Sequence, residues 1–177
     1  KSRSDDYTEA FDKAHGRLES RRVWVMRDLA WLTRSDAWPK LRSAILVAEG
    51  ETRVLIDASP DLRQQLLSAG SPRLDAAILT HGHADHIAGM DDLRRYCDLI
   101  GGNALTVYST PEGIGRVQSM YPYAIGERPA ARGYAAFRLE EMPAVMELPQ
   151  GTIQSTRLPH GAVETLGLVF TERSSGR

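Results

Sequence analysis

Residues 79–89 read LTHGHADHIAG, and three of the chain's five histidines fall with an aspartate inside six of those positions, His81 to His86. An apolar strand pattern, AAIL after Asp75, leads into this stretch, and helical spacing follows from Met90. Whatever fold the chain adopts must therefore bring a strand's C-terminal end and a helix start to one polar site. Imidazoles two apart on extended backbone point the same way. A turn at the strand end brings Asp85 and His86 round beside His81 and His83, so four donors converge on a small volume. Neutral imidazole and carboxylate suit zinc, manganese or iron, and no thiolate stands nearby to select a structural zinc site. Gly82 and Ala84 let the loop curl around an ion without bulk. The competing reading is a solvated histidine-rich turn or a set of hydrogen-bonded buried histidines. Three imidazoles with a carboxylate, between strand and helix, favour the metal.

The rest of the chain alternates between strand and helix patterns. Residues 1–20 are polar, with Tyr7, Ala10, Phe11 and Ala14 at helical spacing, and read as a short amphipathic helix or a loose tail. RRVWVM at 21–26 reads as a strand and 27–40 as a loop ending near Pro39. SAILVAEGETRVLIDAS predicts a hairpin of strands 43–48 and 52–57 about Glu49, Gly50 and Glu51. Pro60 opens a helix with Leu62, Leu66 and Leu67 on one face, capped by Ser59 and ended near Gly70. From Met90 to Leu99 the recurrence of Leu93, Tyr96, Cys97 and Ile100 predicts another helix, stopped by Gly101 and Gly102. ALTVYST is a strand, Pro111 starts a helix to about Met120, and 121–137 reads as a long loop or lid. Strands near 137–140, 145–148, 152–158 and 165–171 complete the pattern.

Composition narrows the classes. At 177 residues and 42% hydrophobic, the chain supports one sizeable core and one domain. A formal net charge of -1 supplies no bulk pull toward nucleic acid or anionic membrane. The single cysteine, Cys97, forms no internal disulfide and fits a reducing compartment. No apolar run approaches the ~18 residues of a membrane span. A cytoplasmic location without membrane association is the expectation, with nucleic acid an unfavoured partner.

HGHADH followed by Gly89 resembles the H-x-H-x-D-H signature of the metallo-β-lactamase fold superfamily. VLIDASPDLRQQLL before it, GMDDLRR after it and LTVYSTPEG further on resemble the branch of the cyclic phosphate phosphodiesterases of phosphonate breakdown. The coenzyme synthesis protein of the pyrroloquinoline quinone pathway and the tRNA 3′-processing endonucleases are more distant relatives. The likeness covers about residues 41–170 and implies an α/β fold, the metallo-β-lactamase-like αβ/βα sandwich, lacking its C-terminal part. In that scheme 1–40 is an atypical N-terminal segment of helix or loop with one strand, and 41–177 is the first part of a single domain.

The resemblance implies that His81, His83 and a later histidine hold one divalent ion, zinc or manganese, while Asp85 and His86 hold a second. His160, in RLPHGAVETLGLVF, stands in the later position: strands flank it and Gly161 allows the turn between them. Asp57 matches an aspartate that supports the metal loop by hydrogen bonds from behind, with turn or helix capping as its alternative. Ser59 and Asp61 compete with it. Arg94 and Arg95 follow the cluster within one helix, and Arg94 is the better candidate for attracting a substrate phosphate, against a solvated helix face.

Departures from the family pattern matter as well. WVMRDLAWLTRSDAWP replaces the Gly- and Ser/Thr-rich loop that relatives carry near their start. Relatives add a bridging aspartate and a last metal-binding histidine beyond the His160 region. Here no histidine follows His160, the last aspartate is Asp98, and His15 lies in the polar N-terminal stretch. Either the chain is a piece of a longer protein, or the second half of the fold has been lost. A half-sandwich leaves an apolar sheet face that a homodimer or the missing segment would cover.

The function these residues imply is a metal-dependent hydrolase, a phosphodiesterase using a metal-activated hydroxide on a small cyclic phosphate or nucleotide-like ester, with Asp85 as the catalytic residue orienting it. A non-catalytic or truncated metal-binding remnant is the alternative, and an RNA-processing nuclease the third reading.

Overall fold

The computed structural model describes residues 22–26, 44–49, 52–68, 73–99, 102–125 and 137–173. The expected helix or tail at 1–20, the loop at 27–40 and His15 lie outside the described residues. Two sheets and four α-helices make up the described fold. The first sheet holds β1 (Arg22–Met26), β2 (Ala44–Glu49), β3 (Thr52–Ile56), β4 (Ala76–Ile78), β5 (Leu105–Ser109) and β6 (Phe137–Glu141), in that order. β1, β2 and β3 are antiparallel, and β3 through β6 are parallel. The antiparallel part follows from the short hairpin, where Glu49 faces Thr52 across the ladder. The parallel part requires crossovers, which the helices provide.

Those helices are α1 (Leu62–Ser68), α2 (Ala84–Ile87), α3 (Met90–Leu99) and α4 (Pro111–Met120). α3 buries Met90, Leu93, Tyr96 and Cys97, the stripe its spacing predicts. α4 starts with Pro111 at its first position, and Thr110 Oγ1 accepts from the Gly113 amide at 3.1 Å. α1 departs from the expected pattern in two ways. Leu62 and Leu66 are buried, but Leu67 is 57% exposed, because adjacent helical residues diverge by about 100° and cannot share a face. The Ser59 hydroxyl, expected to cap the helix, donates to buried Gln65 Oε1 at 3.0 Å.

From β2 to β5 both faces of the first sheet carry buried side chains, successive residues pointing to opposite sides. On one face Leu46, Leu55, Ala77, Leu105, Val107 and Phe137 pack against α1, α3 and α4. On the other, Val47, Val54, Ile56 and Ile78 meet Met146, Ile153 and Leu166 of the second sheet. That sheet comprises β7 (Val145–Leu148), β8 (Gly151–His160) and β9 (Val163–Glu172), all antiparallel. Met146, Ile153 and Phe170 lie in register across it and form its inner face. Ile153, fully buried among them, stabilises the fold by roughly 1.5–3 kcal/mol.

The uncovered apolar face is therefore one layer further out than the sequence suggests. Val145, Gln154 and Val169 lie in register on the outer side of the second sheet. There Val145 is 48%, Leu158 45% and Val169 58% exposed. The expected lid opens on an ordered turn, with a 3-10 helix at Pro122–Ala124 and Ala124 buried, while 126–136 lie outside the described residues. Among the described residues no helix is long and apolar enough to cross a membrane.

Candidate metal centre

β4 ends at Ile78, and the chain passes through Leu79 and Thr80 into the histidine loop at the C-terminal edge of the parallel strands. Ligand sites in open α/β sheets gather at that edge. The loop then enters α2, whose N-cap is His83 in extended conformation, with no side-chain capping bond. The His83 ring is consequently left to the site rather than to the helix. Asp85 and His86 occupy α2 itself, which turns them back toward His81 and His83.

Four imidazoles meet there. The His81 ring centroid lies 4.5 Å from His83, 4.2 Å from His86 and 4.7 Å from His160, and His83 lies 5.2 Å from His160. His81 Nε2 and His83 Nδ1 face each other at 3.0 Å. One nitrogen from each of His81, His83 and His160 falls within a mutual 4.8 Å. An ion that takes imidazole nitrogen at about 2.0–2.1 Å reaches all three after small ring adjustments. Three imidazoles without a thiolate form the donor set of an open, reactive site rather than a closed structural one.

Long-range pairing delivers His160. It ends β8 opposite Val163, with Gly161 at φ +64 in the turn between them, a conformation that glycine adopts without strain. The hairpin is pinned to the histidine loop by the Leu166 amide, which donates to the Thr80 carbonyl at 2.9 Å.

Behind the rings sits a buried polar frame. Asp57, directly after β3, has φ 61, the left-handed region in which aspartate is one of the few tolerated side chains. Its Oδ1 accepts from the Thr80 amide at 2.7 Å, and its Oδ2 lies 2.7 Å from His86 Nδ1. The Thr80 hydroxyl lies 3.0 Å from both Asp57 oxygens and 3.0 Å from His81 Nδ1. Proton counting orders this frame. An ionised carboxylate only accepts, so the Thr80 hydroxyl donates to Asp57 and accepts from His81 Nδ1–H, which leaves a lone pair on His81 Nε2. His86 likewise donates Nδ1–H to Asp57 and keeps Nε2 for the site.

The electrostatics of His81 agree with its tautomer, whereas those of His86 favour a second proton, which ligation through Nε2 would displace. Burial, helped by neighbouring His86 and His83, lowers the His81 pKa to about 4, so its ring is neutral near pH 7. The hydrogen bond to Asp57 raises that of His86 above its ordinary value despite burial.

Of the other residues singled out in the sequence, Asp85 is exposed, with its carboxylate 3.6 Å from His86 Nε2. Asp57 holds the loop, while Ser59 and Asp61 stand apart from the rings: the former bonds Gln65, and the Asp61 carbonyl accepts from the Gln65 amide. Arg94 bonds Asp91 Oδ1 at 3.0 Å and lies 5.4 Å over the Tyr123 ring, and Tyr123 donates to the same Asp91 oxygen. Three participants escaped the sequence reading. Thr80 adjoins His81 and was legible by position, whereas Thr165, 3.4 Å from His81 Nδ1, and Tyr121, bonded to the Ile87 and Ala88 carbonyls, carry no local signal.

The model of the β-lactamase superfamily domain matches residues 52–177. An octanoyltransferase of Porphyromonas gingivalis is 35% identical over 132 residues, 73% of this chain and 26% of that protein. A ribonuclease Z of a Bradyrhizobium species is 30% identical over 160 residues, 82% of this chain and 50% of that protein. The crystal structure of a diphosphatase from the PhnP family superposes with a TM-score of 0.64 at 28% identity, covering 74% of this chain and 49% of that one. The chain thus spans half or less of the length of these relatives.

Proposed function

This chain belongs to the β-lactamase superfamily of domains, and from that premise we propose that it is a metal-dependent hydrolase acting on a small phosphodiester. The observation that carries the reading is the convergence of His81, His83 and His160, with His81 Nε2 and His83 Nδ1 facing each other at 3.0 Å. These three residues would hold the first divalent ion, zinc or manganese, and Asp85 with His86 would contribute to a second. When bound, such ions supply Lewis acidity toward phosphoryl oxygens and lower the pKa of a coordinated water.

The chain's own residues do the rest. Asp57 and Thr80 hold the His81 and His86 rings in the tautomers that ligation needs, which is the usual office of groups behind a metal site. Asp85, exposed and facing His86 Nε2, orients the attacking water and accepts its proton. The likeness to a diphosphatase and to a ribonuclease Z supports phosphoester chemistry as the class. We also propose a cytoplasmic location for the chain, whose single cysteine, Cys97, is buried.

The test is metal content by mass spectrometry together with turnover of bis(p-nitrophenyl) phosphate by the zinc- or manganese-loaded chain. Bound metal with hydrolysis that His83→Ala abolishes supports the reading. Absence of both metal and turnover sinks it. A second reading has its own observation: among the described residues the clustered metal-ligand group consists of the three histidines alone, with Asp85 outside it. A one-ion, non-catalytic remnant would bind metal at His81, His83 and His160 and show no turnover.

A further inference from the structure

We propose that Arg116 is the substrate-binding cation of this centre, receiving a phosphate oxygen beside the His81–His83 loop. The inference rests on the phosphodiester reading above and names a residue for it on independent grounds. β4 and β5 are parallel neighbours, with Ile78 opposite Tyr108, so the elements leaving their C-terminal ends start at one sheet edge. The histidine loop leaves β4, and α4 leaves β5.

The two elements touch at Gly82, between His81 and His83. A Cβ placed on Gly82 would lie 3.1 Å from Arg116 Cβ, 3.4 Å from Arg116 Cγ and 3.4 Å from Gly113 Cα. The arginine stem thus rests on the residue joining two of the candidate ligands. The Tyr121 hydroxyl, just past the end of α4, bonds the Ile87 and Ala88 carbonyls at 3.1 and 3.0 Å, which fixes the helix against the far end of the same loop.

Direction follows from helix geometry. Helical side chains lean toward the helix N-terminus. For Arg116 that is toward Gly113 and the sheet edge carrying the histidines. The residue is also exposed, and among the described residues its guanidinium has no hydrogen bond or ion pair. Other arginines are occupied: Arg63 with Asp92, Arg73 with Asp75, Arg94 with Asp91, Arg138 with Glu140, Arg157 with Glu141 and Glu164, and Arg173 with Glu147. A partnerless guanidinium is free to take phosphate oxygens in the bidentate geometry its planar fork favours. Because it would meet the phosphate before and during reaction alike, its contribution is to binding more than to the chemical step.

The test uses the zinc-loaded chain and its Arg116→Gln, Arg116→Lys and Arg63→Gln variants, with inorganic phosphate as the calorimetric probe and bis(p-nitrophenyl) phosphate as substrate. Arg116→Gln is expected to weaken phosphate binding by about tenfold, ~1.4 kcal/mol. It should raise KM comparably while kcat stays within about twofold, with zinc content at the parent's level. Arg116→Lys should fall between, and Arg63→Gln should match the parent. Equal phosphate affinity in parent and Arg116→Gln overturns the inference, as does a zinc-loaded parent that binds no phosphate. A parent that neither holds metal nor turns over substrate overturns the hydrolase reading instead, so the two failures are distinguishable.

Discussion

Asp57 Oδ2 lies 2.7 Å from His86 Nδ1, so one buried carboxylate, itself in a left-handed backbone conformation, sets the ring of a residue 29 positions away. Asparagine tolerates that backbone and keeps one carbonyl oxygen for the Thr80 amide, but its NH₂ group cannot accept from His86. Asp57→Asn therefore isolates the acceptor from the fold. Divalent metal affinity should fall about 10- to 100-fold, read by competition with a chromogenic chelator. Parent-like affinity in this variant would show that His86 needs no partner behind it.

Thr80 tests the other arm of the same frame. Thr80→Val keeps the shape and removes the hydroxyl that joins Asp57 to His81, while Thr80→Ser retains it. Nitrogen-15 spectra of the metal-free chain should show His81 with its proton on Nδ1 in the parent and in Thr80→Ser, and a mixture of tautomers in Thr80→Val. An unchanged His81 signature in Thr80→Val would mean that Thr165, at 3.4 Å, suffices.

Two glycine substitutions should move stability in opposite directions. A Cβ on Gly89 would stand 2.0 Å from the Ser59 carbonyl oxygen, and the Gly89 amide donates to Ala58, so neither backbone can yield cheaply. Gly89→Ala should cost about 3 kcal/mol or more, at the severe end for single changes. Gly115, within α4, has nothing within 4 Å of the added methyl. Gly115→Ala should stabilise by about 0.5–1 kcal/mol. Urea unfolding midpoints read both changes.

The order of strands and helices was legible because each carries its own period: Leu93, Tyr96 and Cys97 recur along a helix, and Val54 and Ile56 alternate with Leu55 across two cores. The histidine loop was legible because its donors are adjacent in sequence. His160 needed the family resemblance as well, since its place depends on β8 pairing with β9. The frame behind the rings was not legible in full. Thr80 and Asp57 are 23 positions apart, and Thr165 and Thr80 are 85 apart, so local spacing carries no trace of their contact. The same limit explains the arginines. Sequence proximity placed Arg94 ahead of Arg95 as a phosphate-attracting cation, but neither the pairing of Arg94 with Asp91 nor the packing of the Arg116 stem on Gly82 leaves a local sequence signal.

Asp85 separates ion binding from chemistry. It stands in the first turn of α2 with its carboxylate exposed, 3.6 Å from His86 Nε2 and outside the triad of His81, His83 and His160. Asp85→Asn removes the negative charge and the proton-accepting oxygen yet leaves the three histidines, the Asp57 frame and the α2 backbone intact. The first ion should therefore bind about as tightly as in the parent, because its donors are untouched. Turnover of bis(p-nitrophenyl) phosphate should drop by about 10² to 10⁴, the range for loss of a general base. His83→Ala, by contrast, should abolish tight binding of that ion, because a site cut from three protein ligands to two loses affinity and geometry together. Metal stoichiometry by mass spectrometry, measured on both variants beside the rate, decides the matter. Parent-like turnover in Asp85→Asn, or loss of the first ion from it, would remove Asp85 from the role assigned to it.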